Sequence, residues 1–176
     1  MSRLIMPYTF DLAKVTEALG SGSPELHQRL NTKSGEPQTR AARALIDGKS
    51  TRRESAADTI HAFEAICLAL GRMLPNAGLY ESDALEQASE QLEVLGLDDV
   101  SPITIISNGS PIPLPSVEDY PMVGNATHEA CLKAWDLIKD NPPQSSDSAV
   151  DQIFITVYDY LELAVAWESG LIGFIY

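Results

Sequence analysis

The stretch from Ser148 to about Glu168 constrains the fold more than any other part of the chain. Val150, Phe154, Val157, Leu161 and Val165 fall on one helical line, with Ile153, Ile155, Tyr158 and Leu163 beside it. A helix apolar over so much of its circumference belongs at the centre of a core, with packing on several sides. Ser148-Ala149-Val150-Asp151 supplies a capping-box start, and Gly170 supplies a stop. The tail Leu171–Tyr176 then reads as a strand, and the β-rich opening Leu4–Phe10 reads as another. Two terminal strands need partners, and pairing with each other is the economical arrangement. Ile103–Ile106 offers a third strand.

Short helices fill the first half. Asp11-Leu12-Ala13-Lys14-Val15 begins one that stops at Gly20, and Ser23-Pro24-Glu25 opens another that runs to near Asn31. Thr32–Pro37 reads as a polar loop, followed by a helix from about Pro37 to Ile46 with Gly48 past its end. Ser55-Ala56-Ala57-Asp58 caps a longer helix whose inward stripe is Ile60, Phe63, Cys67, Leu70 and Leu74, ending at Pro75. Asp83–Leu95 is a second long helix, closed by Gly96 with Leu97 placed for a C-terminal apolar contact. Pro111, Pro113, Pro115 and Pro121 forbid helix and predict an extended connection packed across the helices. Thr127–Lys139 resumes helix, with Cys131, Trp135 and Ile138 on one side, and Asn141-Pro142-Pro143 breaks it. The expected fold is therefore α+β and mainly α-helical. It comprises about six or seven helices and a small two- or three-stranded sheet pairing the N- and C-terminal strands. Residues 1–176 read as a single globular domain with no internal repeat.

Several segments together resemble a family of uncharacterised bacterial proteins, a domain of unknown function. They are the opening strand with Asp11-Leu12 and Gly20-Ser21, Arg43-Ala44-Leu45-Ile46-Asp47-Gly48, and Pro111-Ile112-Pro113-Leu114-Pro115 leading to Asp119-Tyr120-Pro121. The last is Gly170-Leu171-Ile172-Gly173-Phe174-Ile175-Tyr176. The resemblance spans nearly the whole chain and implies a bacterial origin and a compact domain. It brings no activity, cofactor or catalytic residue with it.

Charge narrows the classes of partner. The net charge is −13, and its distribution is lopsided. Residues 1–75 carry 10 Lys/Arg against 8 Asp/Glu, whereas residues 76–176 carry 17 Asp/Glu against only Lys133 and Lys139. Such a field opposes nucleic acid and anionic lipid and favours a cationic partner, or simple solubility. No apolar run approaches the roughly 20 residues of a membrane-spanning helix. Pro7 and Asp11 cut the first apolar run short of a signal-peptide core, so the expected location is cytoplasmic. Cys67 and Cys131 both fall in apolar helical patterns and read as reduced core thiols.

No motif identifies a chemistry. His128-Glu129-Ala130-Cys131 begins like the zinc-protease helix, but Leu132 stands where the second histidine would be. A metal there would need further ligands from Cys67, His61 or a distant acid, so no metal and no cofactor are expected. A nucleophilic pair of Cys67 or Cys131 with His61 or His128 is opposed by the apolar setting of the thiols. His27 reads as a surface residue, and Gly20-Ser21-Gly22-Ser23 reads as a cap rather than a phosphate loop. The basic set Arg40, Arg43, Lys49, Arg52 and Arg53 reads as solvating helix ends or pairing with the acidic half.

The most physical signal is the helix Asp83–Leu95. Asp83, Glu86, Glu90 and Glu93 lie within roughly 80° of one another on the helical wheel. Leu85, Ala88, Leu92 and Leu95 lie opposite, and the helix contains no basic residue. The three like-charge pairs cost roughly 1 kcal/mol in all. The leading expectation is a non-enzymatic interaction module that binds a basic protein, for instance an immunity factor neutralising a basic toxin. Its surface would be Asp83, Glu86, Glu90 and Glu93 together with Asp119 and Tyr120, at the exposed edge of an Asp119–Gly124 loop. The alternatives are a small enzyme with a cleft near His61, His128, Tyr158, Asp159 and Glu162, and a regulatory homodimer. Monomer and homodimer both remain open.

Overall fold

In the computed structural model, which describes residues 2–30, 36–117 and 120–176, the chain begins with strand β1, Ser2–Phe10. Three short helices follow, α1 (Leu12–Ala18), α2 (Pro24–Arg29) and α3 (Glu36–Ile46), then the longer α4 (Ala56–Leu70). Strand β2 (Gly78–Glu81) leads directly into α5 (Ser82–Val94). A single 3-10 turn at Asp98–Val100 precedes α6 (Pro102–Ser107), and the proline-rich connection then delivers β3 (Met122–Ala126). The chain closes with α7 (His128–Ile138), α8 (Ser148–Ala166) and β4 (Gly170–Ile175). Of the eight α-helices among the described residues, six have seven residues or more, and the four strands form one antiparallel sheet in the order β2-β1-β4-β3.

The terminal strands pair with each other as the sequence predicts, in a register that sets Ile5 opposite Ile175 and Tyr8 opposite Ile172. Strand residues alternate between faces, and here both faces are covered by helices. Ile5, Leu171, Ile175 and Ala126 join a large cluster with α5, α7 and α8, in which Leu85, Leu92, Phe154 and Leu161 are fully buried. Tyr8, Phe10, Val123, Ile172 and Phe174 face the other way and pack on Ile60, Phe63 and Cys67 of α4. This two-sided burial explains why β4 has no polar alternation: every residue from Gly170 to Ile175 is buried. The rings of Tyr8 and Phe63 both meet Phe174 edge-on, at centroid distances of 5.9 and 6.1 Å.

Three expectations about the sheet are corrected. The sheet has four strands rather than two or three, with β2 and β3 added at its edges. Gly78–Glu81 is too short to show a period, and Met122–Ala126 carries two small residues that match Gly173 and Leu171 across the ladder. Residues 122–124 of the expected Asp119–Gly124 loop are thus strand, with Val123 and Gly124 buried, and Asp119 lies outside the described residues. Ile103–Ile106 is not a strand but lies in α6. Ser101 caps that helix by accepting from the Thr104 N–H, and Pro102 sits at its first position. The same Ser-Pro signal correctly opened α2 at Ser23-Pro24; at residues 101–102 the apolar run after it mimicked a buried strand.

Helix ends supply the other corrections. The α4 helix stops at Gly71, not at Pro75. An added Cβ at Gly71 would stand 2.3 Å from the Thr9 carbonyl oxygen. The chain turns there onto β1, and Leu74 reaches the core from an extended segment, donating its N–H to the Pro7 carbonyl. The cap of α8 is Asp147, whose carboxylate accepts from the Ala149 and Val150 N–H groups, rather than Ser148. The helix ends at Ala166, and Gly170 opens β4 instead of closing α8. By contrast, the end of α5 is as read: Gly96 adopts φ +77, its N–H bonds the Glu93 carbonyl, and Leu97 bonds the Leu92 carbonyl while burying its side chain. The proline-rich connection packs Ile112, Leu114 and Val117 over the α4 side of the sheet.

Candidate functional site

The α5 helix presents two unlike faces. Ala84, Leu85, Ala88, Ser89 and Leu92 are buried against the core, while Asp83, Glu86, Glu90 and Glu93 are all exposed. Among the described residues none of these four carboxylates makes an ion pair. The cations pair elsewhere: Arg40 with Glu54 at 3.0 Å, Lys49 with Asp47 at 2.7 Å and Lys139 with Asp136 at 2.6 Å. Lys133 lies 3.9 Å from Asp99. The basic set expected to offset the acidic half is therefore engaged locally, where it pairs at all. One detail of the helix differs from expectation: Leu95, placed on the inward side, is 48% exposed, and Val94 before it is 88% exposed.

Both residues line a groove of about 460 Å³ between the end of α5 and the Asn141–Gln144 turn, floored by the buried Phe154. Tyr120, two residues before β3, is 40% exposed, and Asp119 lies outside the described residues. Tyr120 is thus on the surface, but on a different edge of the fold from α5: β3 and β2, the strand that leads into α5, close opposite edges of the sheet.

A second constellation centres on Glu64 of α4. Glu64, on α4, accepts from two phenols: Tyr8 donates to Oε1 at 2.6 Å and Tyr176 donates to Oε2. His61, one turn earlier, stacks its ring on Tyr176 at 5.1 Å with the planes 5° apart, and its Nδ1 lies 3.2 Å from the Tyr176 hydroxyl. Since Tyr176 gives its single proton to Glu64, His61 donates from Nδ1 and holds Nε2 unprotonated when neutral. Burial, reinforced by the Glu64 hydrogen bond and charge, holds the Tyr8 and Tyr176 phenols well above the ordinary tyrosine range. Burial and the Glu64 charge likewise raise the Cys67 thiol, and burial pushes Cys131 up to about 12. Both cysteines are free, buried and held as thiols. The sequence marked His61 but gave no reason to mark Glu64, which has no motif around it and acquires its partners from β1 and β4.

The groups named for an enzymatic cleft hold three separate sets of partners. His61 meets Tyr176 and Glu64, His128 bonds the Ser169 carbonyl through Nδ1 at 3.0 Å, and Tyr158 packs on Trp135 and reaches the Lys139 carbonyl. His27 is half-buried on Asp47, 2.9 Å away. A small cavity of about 40 Å³ lies inside the core under β1, lined by Leu85, Ile105, Val157 and Tyr160. The Tyr160 hydroxyl is buried there without a hydrogen-bond partner among the described residues, while Tyr80 gives its own proton to the Asn76 carbonyl. Among the described residues no helix is long and apolar enough to cross a membrane.

With helices on both faces of an antiparallel sheet centred on its own terminal strands, the chain is a mainly helical α+β protein. Over residues 1–176 it matches the family model described as "Domain of unknown function (DUF7691)", and it belongs to that family. No curated protein and no solved structure matches it.

Proposed function

We propose that this protein is a non-enzymatic, cytoplasmic interaction module of bacterial origin whose α5 face captures a basic protein. One observation carries the reading: four adjacent exposed carboxylates on α5 with no cation of the described residues paired to them. Like charges at helical spacing cost stability, and a partner's lysines and arginines would remove that cost. A field of −15 over the last hundred residues would also speed the encounter and reject anionic surfaces. An immunity factor against a basic toxin is one protein of this kind.

The test is affinity capture from the native host at low and high salt, with the wild-type chain and with Glu86→Lys, Glu90→Lys, Glu93→Lys combined. The expected result is a basic protein retained only by the wild type and released by salt. Capture that survives both the triple reversal and high salt would overturn the reading.

A further inference from the structure

The groove at the end of α5 adjoins the acidic face directly. With successive residues about 100° apart, Val94 lies roughly 40° from Glu90 and one turn beyond it, on the same side as the carboxylates. It is a large aliphatic residue set among acids and 88% exposed, where glutamate or lysine would form a better helix. Leu95 and Gln91 continue from it into the groove, and Pro142 and Pro143 form the opposite wall. The apolar surface extends further, because Leu137 of α7, itself 53% exposed, comes up beside Gly96. An exposed apolar strip rimmed by one sign of charge marks a contact surface. Its rim selects the occupant: Glu90 and Glu93 flank the α5 wall and the exposed Asp140 precedes the Asn141–Gln144 wall, while the one lysine close by in sequence, Lys139, is taken up by Asp136.

We infer that this groove seats an aliphatic side chain flanked by lysine or arginine, belonging to the basic protein that the acidic face captures. The inference rests on that reading of α5 and adds an anchor to it. Coulomb attraction across the exposed acids is screened by salt and only loosely directional. An apolar side chain entering the groove would fix register, and burying it would slow dissociation.

Two synthetic peptides separate the anchor from the charge: one with leucine between two pairs of lysines, the other with glycine in place of the leucine. Each is titrated by NMR into the full chain at low salt. The leucine peptide is expected to bind about tenfold more tightly, as burial of one aliphatic side chain gives, and to shift the signals of Val94, Leu95 and Phe154. Val94→Ser, at an exposed position that leaves the core intact, should bring the two affinities within about twofold. If both peptides bind the wild type equally and shift only the signals around Glu86, Glu90 and Glu93, the anchor is refuted while the acidic surface stands. If neither peptide shifts any α5 signal up to millimolar concentration, both readings fall.

Discussion

Tyr176, one residue beyond β4, gives its hydroxyl proton to the carboxylate of Glu64, 112 positions earlier in the chain. Tyr8 of β1 occupies the other carboxylate oxygen, so one α4 side chain ties together both terminal strands. A hydrogen bond to a charged group contributes about 1.5–3 kcal/mol. Glu64→Gln, which keeps the shape but not the charge, is expected to lower stability by about that amount in urea unfolding. Tyr176→Phe should lose a similar amount, and the double variant less than the sum, because both remove one network. Full additivity would show that the two residues do not act together.

The same bond dictates the tautomer of His61. Long-range nitrogen-15 correlation spectra of the neutral ring should show the proton on Nδ1, and Tyr176→Phe should shift the population toward the ordinary Nε2-protonated form. A ring protonated on Nε2 in the wild type would mean that the Tyr176 proton points at His61 instead.

Alkaline stability follows from the raised phenols and thiols. The folded-state values of Tyr8, Tyr160, Tyr176 and Cys67 all lie above their unfolded ones. Above about pH 9–10 the unfolded chain therefore binds fewer protons than the native one, and stability falls as pH rises. The stabilisation is complete below that range and is lost above it, by up to about 1.4 kcal/mol per pH unit for each group. Denaturation curves between pH 8 and 11 should show a flat region and then a decline, shallower in Tyr176→Phe. A stability independent of pH over that interval would contradict the assignment.

Tyr160 should behave oppositely to Tyr8. Its hydroxyl is buried without a partner among the described residues, and such a group costs about 1–3 kcal/mol. Tyr160→Phe is expected to leave stability unchanged or raise it, whereas Tyr8→Phe lowers it. Thermal melts of the two variants decide, and an equal loss in both would show that the Tyr160 hydroxyl is satisfied in the folded protein.

Gly71 should tolerate no side chain. Its added Cβ would meet the Thr9 carbonyl, a ladder atom that cannot swing aside. Overpacking of this kind costs about 1–3 kcal/mol, so Gly71→Ala should lower the melting temperature by several degrees. Gly78→Ala, in open space on β2, is the control and should change little.

Most helix starts were legible in the sequence, whereas several helix ends and the cap of α8 were not. The helix starts at Asp11 and Thr127, the caps at Ser23 and Ser55, the glycine stop at Gly96 and the two-faced pattern of α5 depend on residues within one or two turns. The acidic face was visible for the same reason. What a segment did after leaving its helix was not legible. Ile103–Ile106 and Leu171–Ile175 are both short apolar runs; the cap at Ser101 starts the first as helix, and the place between β1 and β3 makes the second a strand. Strand β3, Met122–Ala126, is defined by its ladder with β4 and by Asn108, whose side-chain amide pairs with the Asn125 N–H and carbonyl at the outer edge.

The sequence by itself determined the helical character of the chain, the pairing of its two ends and the excess of acid after residue 75. The first and last rest on propensity, periodicity and composition, which neighbours along the chain set, and the pairing followed from two terminal strands that each need a partner. Only the tertiary structure decided that the sheet is covered on both faces, that Glu64 rather than a histidine is the hub joining the termini, and that Val94 stands in water beside the acids. Each depends on which distant surfaces meet. That choice minimises exposed apolar area and unpaired backbone over the whole chain at once, and no window of sequence contains it.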